Sequence, residues 1–454
     1  MIKSPPSKDQ YPALPYSYLK ENYPSKEMEY FAFFKAVDEK GRYLPFDEFR
    51  HRVSKDLDIN LAWAFTKWAR SDIKQDLLYL DGAKCSYIST PTILKTTTVV
   101  DQNTTTSALE WTTKKIGEEE HFRYFLNDLV EDESISSSQL EGAVTTTVVA
   151  KDMLKRKREP RSIDEKMILG NFEMMRFVWD KKDEPLTPEL IRELHFIGVK
   201  DIDDEQYLPG RFRSSDDVVV VDADGNIVHQ PPLAEGIELR FKKFCDWINT
   251  EHDNIESNNY IHPLIKSICA HFTIGFEHPF RDGNGRVARA IFYWFMFKKG
   301  YGAFRYISVS NLLKEAAVQY GKSYLYSETD NMDLTYFIDY QCSVILRAVS
   351  AFKTHCQKVI SDIEHFNKWL WDSGVYNKLS DKQRTVFQVA KNSIARNFTA
   401  INVKENLKCS YNTAATVLNG LVSLQLFDKR KEGKEWVYYL RDKQEIQKNW
   451  HFGE

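Results

Sequence analysis

The sequence predicts a mainly α-helical protein that carries a few short β-hairpins. Apolar residues recur at helical spacing through most of the chain, above all between residues 118 and 374. Runs of β-branched residues are short and stand beside Asp-Gly turns, which is typical of hairpins. The 454 residues are too many for one ordinary core, and the patterns place three domains at residues 1–115, 116–374 and 375–454.

The first domain is predicted to be a small α+β accessory module. Proline-rich residues 1–28 predict an extended arm, and apolar side chains at helical spacing in 46–68 predict helix. Residues 77–80, an Asp-Gly turn and the β-branched stretch 93–100 predict short strands. A polar loop is expected to follow at 101–106.

One interruption of the helical pattern in the second domain predicts a β-hairpin. Four consecutive valines precede an Asp-Gly turn and a second β-branched pair; they are Val218, Val219, Val220 and Val221. A single exposed hairpin buries little surface by itself. We therefore expect its edge to pair with another strand or with a bound peptide.

The third domain has the element order of a winged helix-turn-helix. Helices are predicted at 381–391, near 403–407 and at 411–421, and a hairpin follows them. DNA binding requires side chains that reach base edges and a basic surface. The third helix has no arginine and offers Tyr411, Asn412, Thr413, Thr416 and Asn419. The wing's basic residues are interspersed with glutamates; they are Lys429, Arg430, Lys431 and Lys434. DNA binding and protein interaction or dimerisation both stay open for this domain.

Composition restricts the class of protein. With 62 Lys and Arg against 65 Asp and Glu, the net charge of -3 predicts no strong attraction to nucleic acid or membrane, so any basic surface is local. The six cysteines are scattered without a CxxC pair, which favours reduced, mostly buried thiols over a disulfide framework or a zinc site. The N-terminal residues lack the apolar core of a signal peptide, and no apolar run reaches the length needed to span a bilayer. We therefore expect a soluble, cytoplasmic protein.

Residues 278–289 contain the densest group of chemically active side chains, His-Pro-Phe-Arg-Asp-Gly-Asn-Gly-Arg-Val-Ala-Arg. Pro279 ends one predicted helix, and another begins near Asn284. Gly283, Asn284 and Gly285 therefore stand at a helix N-terminus, where unpaired N–H groups and the helix dipole favour an anion.

Charged and titratable side chains surround this predicted anion site. Arg286 and Arg289 are three residues apart and share one side of the helix. Asp282 is placed to hold a hard cation that bridges phosphate oxygens. His278 lies on the preceding turn, where a base can face the same cavity. Together these side chains suit the binding of a nucleotide's phosphates. No packing requirement calls for all of them at once, which favours a functional site.

The same segment resembles the signature of the Fic family, HPFx(D/E)GNGRxxR, at every specified position. Residues 261–278 resemble the family's helix that leads into the active site, and Pro209–Arg213 resembles the segment before its target-binding flap. The resemblance implies a helical Fic core. It also implies transfer of AMP from ATP to a Tyr, Thr or Ser hydroxyl of a target protein, with release of pyrophosphate.

The resemblance assigns a role to each residue of the segment. It implies that His278 is the general base and that Asp282 holds Mg²⁺ on the α- and β-phosphates. Gly283, Asn284 and Gly285 would form the anion hole, while Arg286 would bind the β-phosphate and Arg289 the γ-phosphate. The hairpin with Val218, Val219, Val220 and Val221 would be the flap.

Residues 137–142, Ser-Ser-Gln-Leu-Glu-Gly, resemble the inhibitory signature (S/T)xxxE(G/N) of many Fic proteins. Ser137 and Glu141 are four residues apart and share a face if the segment is helical. The resemblance implies that Glu141 pairs with Arg289 and keeps the γ-phosphate from binding productively. One departure is Glu277, where many members have an aliphatic residue; it would either shift the pKa of the base or face solvent.

Other functions remain open beside AMP transfer. Fic folds also phosphorylate or transfer other groups, although the intact Gly-Asn-Gly favours AMP. Glu141 could instead position water to remove AMP from a modified protein. A non-catalytic alternative is a DNA-binding regulator that senses nucleotide, against which the intact His278 argues. The candidate partners are ATP, a protein target that includes the chain itself, a second copy of the chain, and DNA at the winged helix.

Overall fold

The computed structural model describes residues 2–7, 10, 14–115, 129–202, 207–222, 224–254, 256–372, 374–391, 397–432, 435–442, 445–446 and 450. The helices before the central loop are α1 (Pro15–Asn22), α2 (Glu27–Phe31), α3 (Phe46–Phe49), α4 (Ile59–Ser71), α5 (Pro91–Thr104), α6 (Thr106–Lys115), α7 (Asp132–Leu140), α8 (Thr147–Arg156), α9 (Ile163–Asp180), α10 (Pro188–Val199), α11 (Ile237–Asn249) and α12 (Pro263–Glu277). Those after it are α13 (Asn284–Lys298), α14 (Ser310–Glu315), α15 (Ala317–Thr329), α16 (Thr335–Asp372), α17 (Asp381–Lys391), α18 (Ala400–Asn406) and α19 (Tyr411–Ser423).

Within the described ranges the strands form three antiparallel hairpins, β1 (Gln75–Leu80) with β2 (Ala83–Tyr87), β3 (Val220–Val221) with β4 (Ile227–His229), and β5 (Phe427–Glu432) with β6 (Glu435–Leu440). The fold is therefore mainly α, as the sequence predicts. Two sequence predictions fall outside the described residues: the domain boundary at 116 and Lys434 of the wing. The three domain limits stay a prediction.

The prediction of an extended arm over residues 1–28 is wrong for α1. Pro15 occupies the first turn of this helix, where its missing N–H has no partner to lose. Leu19, in the middle of the helix, is fully buried in a cluster with Tyr30 and Trp63. Burial of Leu19 thus stabilises a helix in a segment whose proline-rich composition predicts an extended conformation.

The prediction of a strand at 93–100 and a loop at 101–106 is also wrong, because α5 runs through the first stretch and α6 begins at Thr106. Thr90 caps α5 through a hydrogen bond from the Ile93 N–H at 3.2 Å, and a proline follows it at the first helical position. Ile93 and Val100 are fully buried against the rest of the core. Helical spacing of the buried residues prevails over the strand propensity of β-branched side chains.

The core of the central region is built on α12 and α13. Their apolar faces are buried, with Phe272 on α12 and Trp294 on α13 among the largest side chains that are closed off from water. Because the two helices pack against each other, the loop between them is held at one end of the pair. This places residues 278–283 where the C-terminus of one helix meets the N-terminus of the next.

The C-terminal region contains three helices, α17 to α19, followed by the β5–β6 hairpin. The strands pair in register from Phe427 with Leu440 to Glu432 with Glu435. Asn419 Oδ1, on the third helix, accepts hydrogen bonds from Lys429 Nζ at 2.9 Å and from the Tyr438 hydroxyl at 3.2 Å. Its side chain is thus engaged by the hairpin. The winged-helix assignment and DNA binding stay predictions.

The cysteines are unpaired thiols and mostly buried, as their spacing in the sequence predicts. All six cysteines are free thiols, and burial raises the pKa of Cys85 to about 12.

Within the described part of the chain, each helix is too short or too polar to cross a membrane.

Candidate active site

His278 ends α12 in a left-handed backbone conformation, with φ of 43°. Its N–H still donates to Ile274 O at 3.0 Å, so the residue caps the helix. Pro279 follows and has no N–H to continue the helical ladder. A non-glycine residue pays about 1–2 kcal/mol for this conformation, so the surrounding contacts must hold it in place.

The imidazole of His278 is half-buried and neutral at physiological pH. Burial lowers its pKa to about 4, although the negative charge of Glu141 acts in the opposite direction. Its Nδ1 lies 3.3 Å from Gly275 O, an acceptor, which assigns the proton to Nδ1 and leaves a lone pair on Nε2. The group is therefore in the form that accepts a proton.

The loop after His278 is fixed by Asn284 and Phe280. The Phe280 N–H donates to Asn284 Oδ1 at 2.9 Å, and Asn284 Nδ2 donates to Phe280 O at 2.8 Å. The side-chain amide of Asn284 is thus committed to the loop, so any contribution of this residue to anion binding comes from its backbone. Phe280 is fully buried.

His195 on α10 is a site residue that the sequence analysis missed. Its ring stacks on Phe280 with centroids 3.8 Å apart and an angle of 7° between the planes. Its Nε2 donates to Asp282 O at 3.0 Å, while its Nδ1 accepts from the Gly210 N–H at 3.0 Å, which fixes the tautomer. Burial lowers the pKa of His195 to about 4. A lone histidine on the buried face of a helix was the only pattern that pointed to it.

The glycines of the loop meet specific steric needs. Gly283 precedes α13 with φ of 80°, and a Cβ atom there would lie 3.3 Å from both the Arg286 guanidinium group and the His195 ring. A Cβ atom at Gly285 would collide with the carboxylate of Glu141. Side chains are therefore excluded at Gly283 and Gly285, which leaves room for an anion at the N–H groups of the first turn of α13.

Two buried arginines of α13 have hydrogen-bond donors without acceptors. Arg286 donates from Nη1 to Gly198 O at 3.2 Å, but its Nε and Nη2 have no partner among the described residues. Arg289 Nη1 is likewise unpaired within that part of the chain. A buried polar group without a partner costs about 1–3 kcal/mol, which an arriving anion would recover. The two guanidinium groups therefore favour the binding of a polyanion.

Asp282 presents an exposed carboxylate at the same end of α13. Its Oδ1 accepts from the N–H of Gly283, and Oδ2 has no hydrogen bond in the described ranges. Carboxylate oxygens are the ligands that Mg²⁺ prefers in proteins, usually one or two of them together with phosphate oxygens and water. The position and the free oxygen fit such an ion.

Glu141 reaches the same site from α7. Arg289 Nη2 donates to Glu141 Oε1 at 2.7 Å, and Arg289 also bonds Ser137 through Nε to Oγ at 2.8 Å and through Nη2 to the carbonyl at 3.1 Å. Burial opposes ionisation of Glu141, but the charge and hydrogen bond of Arg289 outweigh it, so the pKa of Glu141 lies below its ordinary value. The carboxylate is charged and stands beside Gly285.

Helix α7 is anchored by a buried carboxylate at its other end. Glu133 Oε2 accepts from the Tyr293 hydroxyl at 2.9 Å, from Ser308 Oγ at 3.0 Å and from the Ser310 N–H at 3.0 Å. The serines of α7 are small enough to let the helix lie close to its neighbours; Ser134, Ser136, Ser137 and Ser138 are all buried. Position and orientation of Glu141 are thus set by the packing of the whole helix.

The valine segment forms a shorter hairpin than four valines predict. Val220 pairs with His229 and Val221 with Ile227, whereas Val218 and Val219 lie ahead of the strand. No third strand pairs with this hairpin within the described residues, and Val221 and Ile227 are 53% and 62% exposed, so two apolar side chains are open to solvent.

Glu277 does not face solvent, so one of the two expectations for it is wrong. Its buried carboxylate accepts from Arg240 Nε at 2.8 Å. Burial raises the pKa of Glu277, although Arg240 opposes the shift.

Residues 185–296 match the model of the Fic/DOC family. The match contains the hairpin and the whole of 278–289, and it leaves Glu141 outside. The protein adenylyltransferase Fic of Nematostella vectensis is 27% identical over 173 residues, which cover 36% of this chain and 37% of that protein. The protein adenylyltransferase Fic of Drosophila yakuba is 33% identical over 73 residues, which cover 16% of this chain and 14% of that protein. The chain thus spans at most 37% of the length of these curated relatives.

A solved structure of a Fic family protein from Desulfovibrio desulfuricans is 16% identical, with a TM-score of 0.45, over 78% of this chain and 97% of that chain.

Proposed function

The protein is a Fic-domain protein, and from this premise we propose that it is a self-inhibited protein adenylyltransferase. It transfers AMP from ATP to a Tyr, Thr or Ser hydroxyl of a protein target and releases pyrophosphate. Its curated relatives are called adenylyltransferases, and the intact Gly-Asn-Gly segment favours this reaction within the family.

The observation that carries the proposal is the pair of buried, incompletely bonded arginines at a glycine-lined helix N-terminus. Arg286 and Arg289 supply two fixed positive charges within one turn of α13. The free N–H groups at the start of this helix supply further donors. Such an arrangement stabilises the charges of a polyphosphate without reorganisation during the reaction.

His278 then acts as the general base. The target hydroxyl gives its proton to Nε2 while its oxygen forms a bond to the α-phosphorus, and the bond from that phosphorus to the bridging oxygen breaks. Because the low pKa keeps His278 neutral, the lone pair is available at neutral pH, although the proton affinity is modest. Most of the rate enhancement must therefore come from positioning and charge stabilisation.

Asp282 is the residue that would hold Mg²⁺. In the described part of the chain, no group of three or more His, Cys, Asp and Glu side chains could bind a metal by itself. This fits an ion that arrives with ATP and takes most of its ligands from phosphate and water. When bound, the ion neutralises phosphate charge.

Glu141 is the inhibitory group in this proposal. Its carboxylate lies against Gly285 and binds Arg289, which supports the proposal that the chain's own anion competes for the phosphate site. A γ-phosphate would have to compete with it for the guanidinium group and would meet charge repulsion. ATP bound beside Glu141 would then hold its α-phosphate away from the line of attack.

Removal of AMP from a modified protein is the second candidate. The charged state of Glu141 and its electrostatic influence on His278 favour it, because a carboxylate close to the base can orient a water molecule. Incubating an AMP-modified target with the wild-type chain and with Glu141→Gln separates the two, since only AMP removal requires the carboxylate.

The experiment that tests the main proposal uses ATP labelled at either the α- or the γ-phosphate. Glu141→Gly protein, incubated with Mg²⁺ and a cell lysate, should add α-label to protein above the level of the lysate alone and add no γ-label. The double variant Glu141→Gly/His278→Ala is the matched control and should add neither label to the lysate background. A gain of γ-label over this control would show phosphorylation and refute the proposal.

A further inference from the structure

The last carbonyl groups of an α-helix have no partner within the helix. At the end of α12, four successive carbonyls accept hydrogen bonds from two residues among those that the structure describes, Arg213 and His229. Arg213 precedes the β3–β4 hairpin and His229 ends it. The contacts are Arg213 N to Pro279 O at 2.8 Å, Arg213 Nε to His278 O at 3.0 Å, Arg213 Nη2 to Glu277 O at 3.4 Å, and His229 Nε2 to Phe276 O at 2.8 Å.

The guanidinium group of Arg213 joins both sides of the hairpin to this helix end. Besides the contacts to α12, it donates to Ser215 O and Asp216 Oδ1, both at 3.2 Å, and to Pro232 O. The side chain is 1% exposed, and each of the five N–H bonds that arginine offers has an acceptor. Lysine, with three donors on one nitrogen, could not reproduce this set.

His229 adds a second link from the hairpin. Its Nδ1 lies 2.7 Å from Glu328 Oε2 on α15, so both ring nitrogens face acceptors. Burial opposes protonation of His229, but the bond to Glu328 outweighs it and raises the pKa. The end of β4 is thus tied to α12 and to α15 together.

We propose that Arg213 is a positioning residue, which holds His278 in its left-handed backbone conformation and makes the placement of that imidazole depend on the base of the hairpin. The carbonyl of His278 itself is the acceptor of Arg213 Nε. Neither the hairpin nor the end of α12 can therefore shift without breaking the bonds of one buried side chain. The inference rests on the proposed function, in which His278 is the base, and on the predicted role of the β3–β4 hairpin as the target-binding flap.

The consequence is that engagement of the hairpin edge by a peptide is transmitted to the reacting imidazole. A strand added to the hairpin would restrain the segment from 215 to 232, and Arg213 would pass that restraint to His278. Misplacement of a reacting group by about 1 Å can cost roughly a hundredfold in rate. Arg213 therefore matters for turnover although it is not placed to touch the substrate.

The test compares Arg213→Met and Arg213→Lys with Arg240→Met as a matched control. Arg240 is also an arginine that bonds a residue at the end of α12. Its acceptors are the Glu277 carboxylate, Leu233 O and Glu235 O, and none of them is one of the four helix-end carbonyls. The first readout is the NMR titration of the His278 imidazole in full-length protein, assigned with His278→Asn. The groups that act on this titration are Glu141, His229 and Arg213.

We expect Arg213→Met to raise the pKa of His278 toward its ordinary value, because the imidazole leaves its buried position and the positive charge of Arg213 is lost. Arg213→Lys keeps that charge, so the smaller rise expected in this variant reports the change of position alone, and Arg240→Met should leave the titration as in the wild type. An unchanged titration in Arg213→Lys, or an equal shift in Arg240→Met, overturns the proposal. If Arg213→Met does not fold, Arg213→Lys decides: a shift in the same direction supports the proposal and no shift overturns it.

The second readout is AMP transfer in the Glu141→Gly background. Arg213→Met should lower kcat by roughly ten- to a hundredfold, with KM for ATP changed by less than about threefold since the phosphate site is untouched. A rise in KM with unchanged kcat would assign Arg213 to nucleotide binding and overturn the proposal. The NMR titration does not depend on transfer activity. A shifted titration without AMP transfer would therefore support the positioning role of Arg213 and count against the proposed function.

Discussion

Replacing Glu141 with glycine is expected to raise AMP transfer by roughly ten- to a hundredfold. The estimate starts from the 2.7 Å bond between Arg289 Nη2 and Glu141 Oε1. A hydrogen bond to a charged group contributes about 1.5–3 kcal/mol, and each 1.4 kcal/mol changes a rate tenfold. The Arg289 side chain is 3% exposed and that of Glu141 is 28% exposed, so solvent weakens the pair only in part. Removing the carboxylate also removes its repulsion of the γ-phosphate.

The assay is intact-mass spectrometry after incubation with Mg·ATP, alone and with a lysate that contains targets. Glu141→Gln serves as a graded control, because the amide keeps the size and one acceptor of the side chain but loses its charge; it should give an intermediate gain. Arg289→Ala should give no gain, since it removes the inhibitory contact and the phosphate ligand together. Equal AMP incorporation in wild type and Glu141→Gly would show that residues 137–142 are only a helix end.

Three further predictions follow from the site geometry. His278→Ala should abolish transfer while ATP affinity changes by less than about threefold, because the base acts in the chemical step alone; calorimetric titration beside the activity assay checks this. Asp282→Asn should weaken ATP binding in the presence of Mg²⁺ and leave metal-free binding nearly unchanged, and equal losses in both titrations would contradict a metal-binding role.

The free energy of unfolding should fall as pH is lowered from about 6.5 toward 4, because His195 and His278 take up protons in the unfolded chain before they do in the folded one. Urea unfolding at pH 7 and pH 5 measures this fall in the free energy of unfolding. The fall should be smaller for a His195→Gln variant, and an equal fall in both proteins would contradict the assignment.

The sequence alone determined the features that depend on neighbouring residues. Pro279, Gly283 and the helix that follows predict an anion site within a few residues, and the structure places a helix N-terminus there, because helix ends and glycine conformations are local properties. The β3–β4 turn and the order of helices and hairpin after residue 380 are local in the same sense. Local patterns gave a wrong prediction where one composition fits both strand and helix. The β-branched stretch of α5 suits a strand, but burial of Ile93 and Val100 on one helical face stabilises the helix.

The tertiary structure decided what depends on residues far apart in the chain. Glu141 and Arg289 are separated by 148 positions, and their 2.7 Å contact exists because the serine face of α7 packs closely and Glu133 fixes its far end. The roles of His195 and Arg213 could not be found from composition or spacing, since a histidine or arginine that holds the loop has the same sequence pattern as one that does not. Their roles come from hydrogen bonds to the backbone of the loop, which arise only when α10, the hairpin and α12 are brought together.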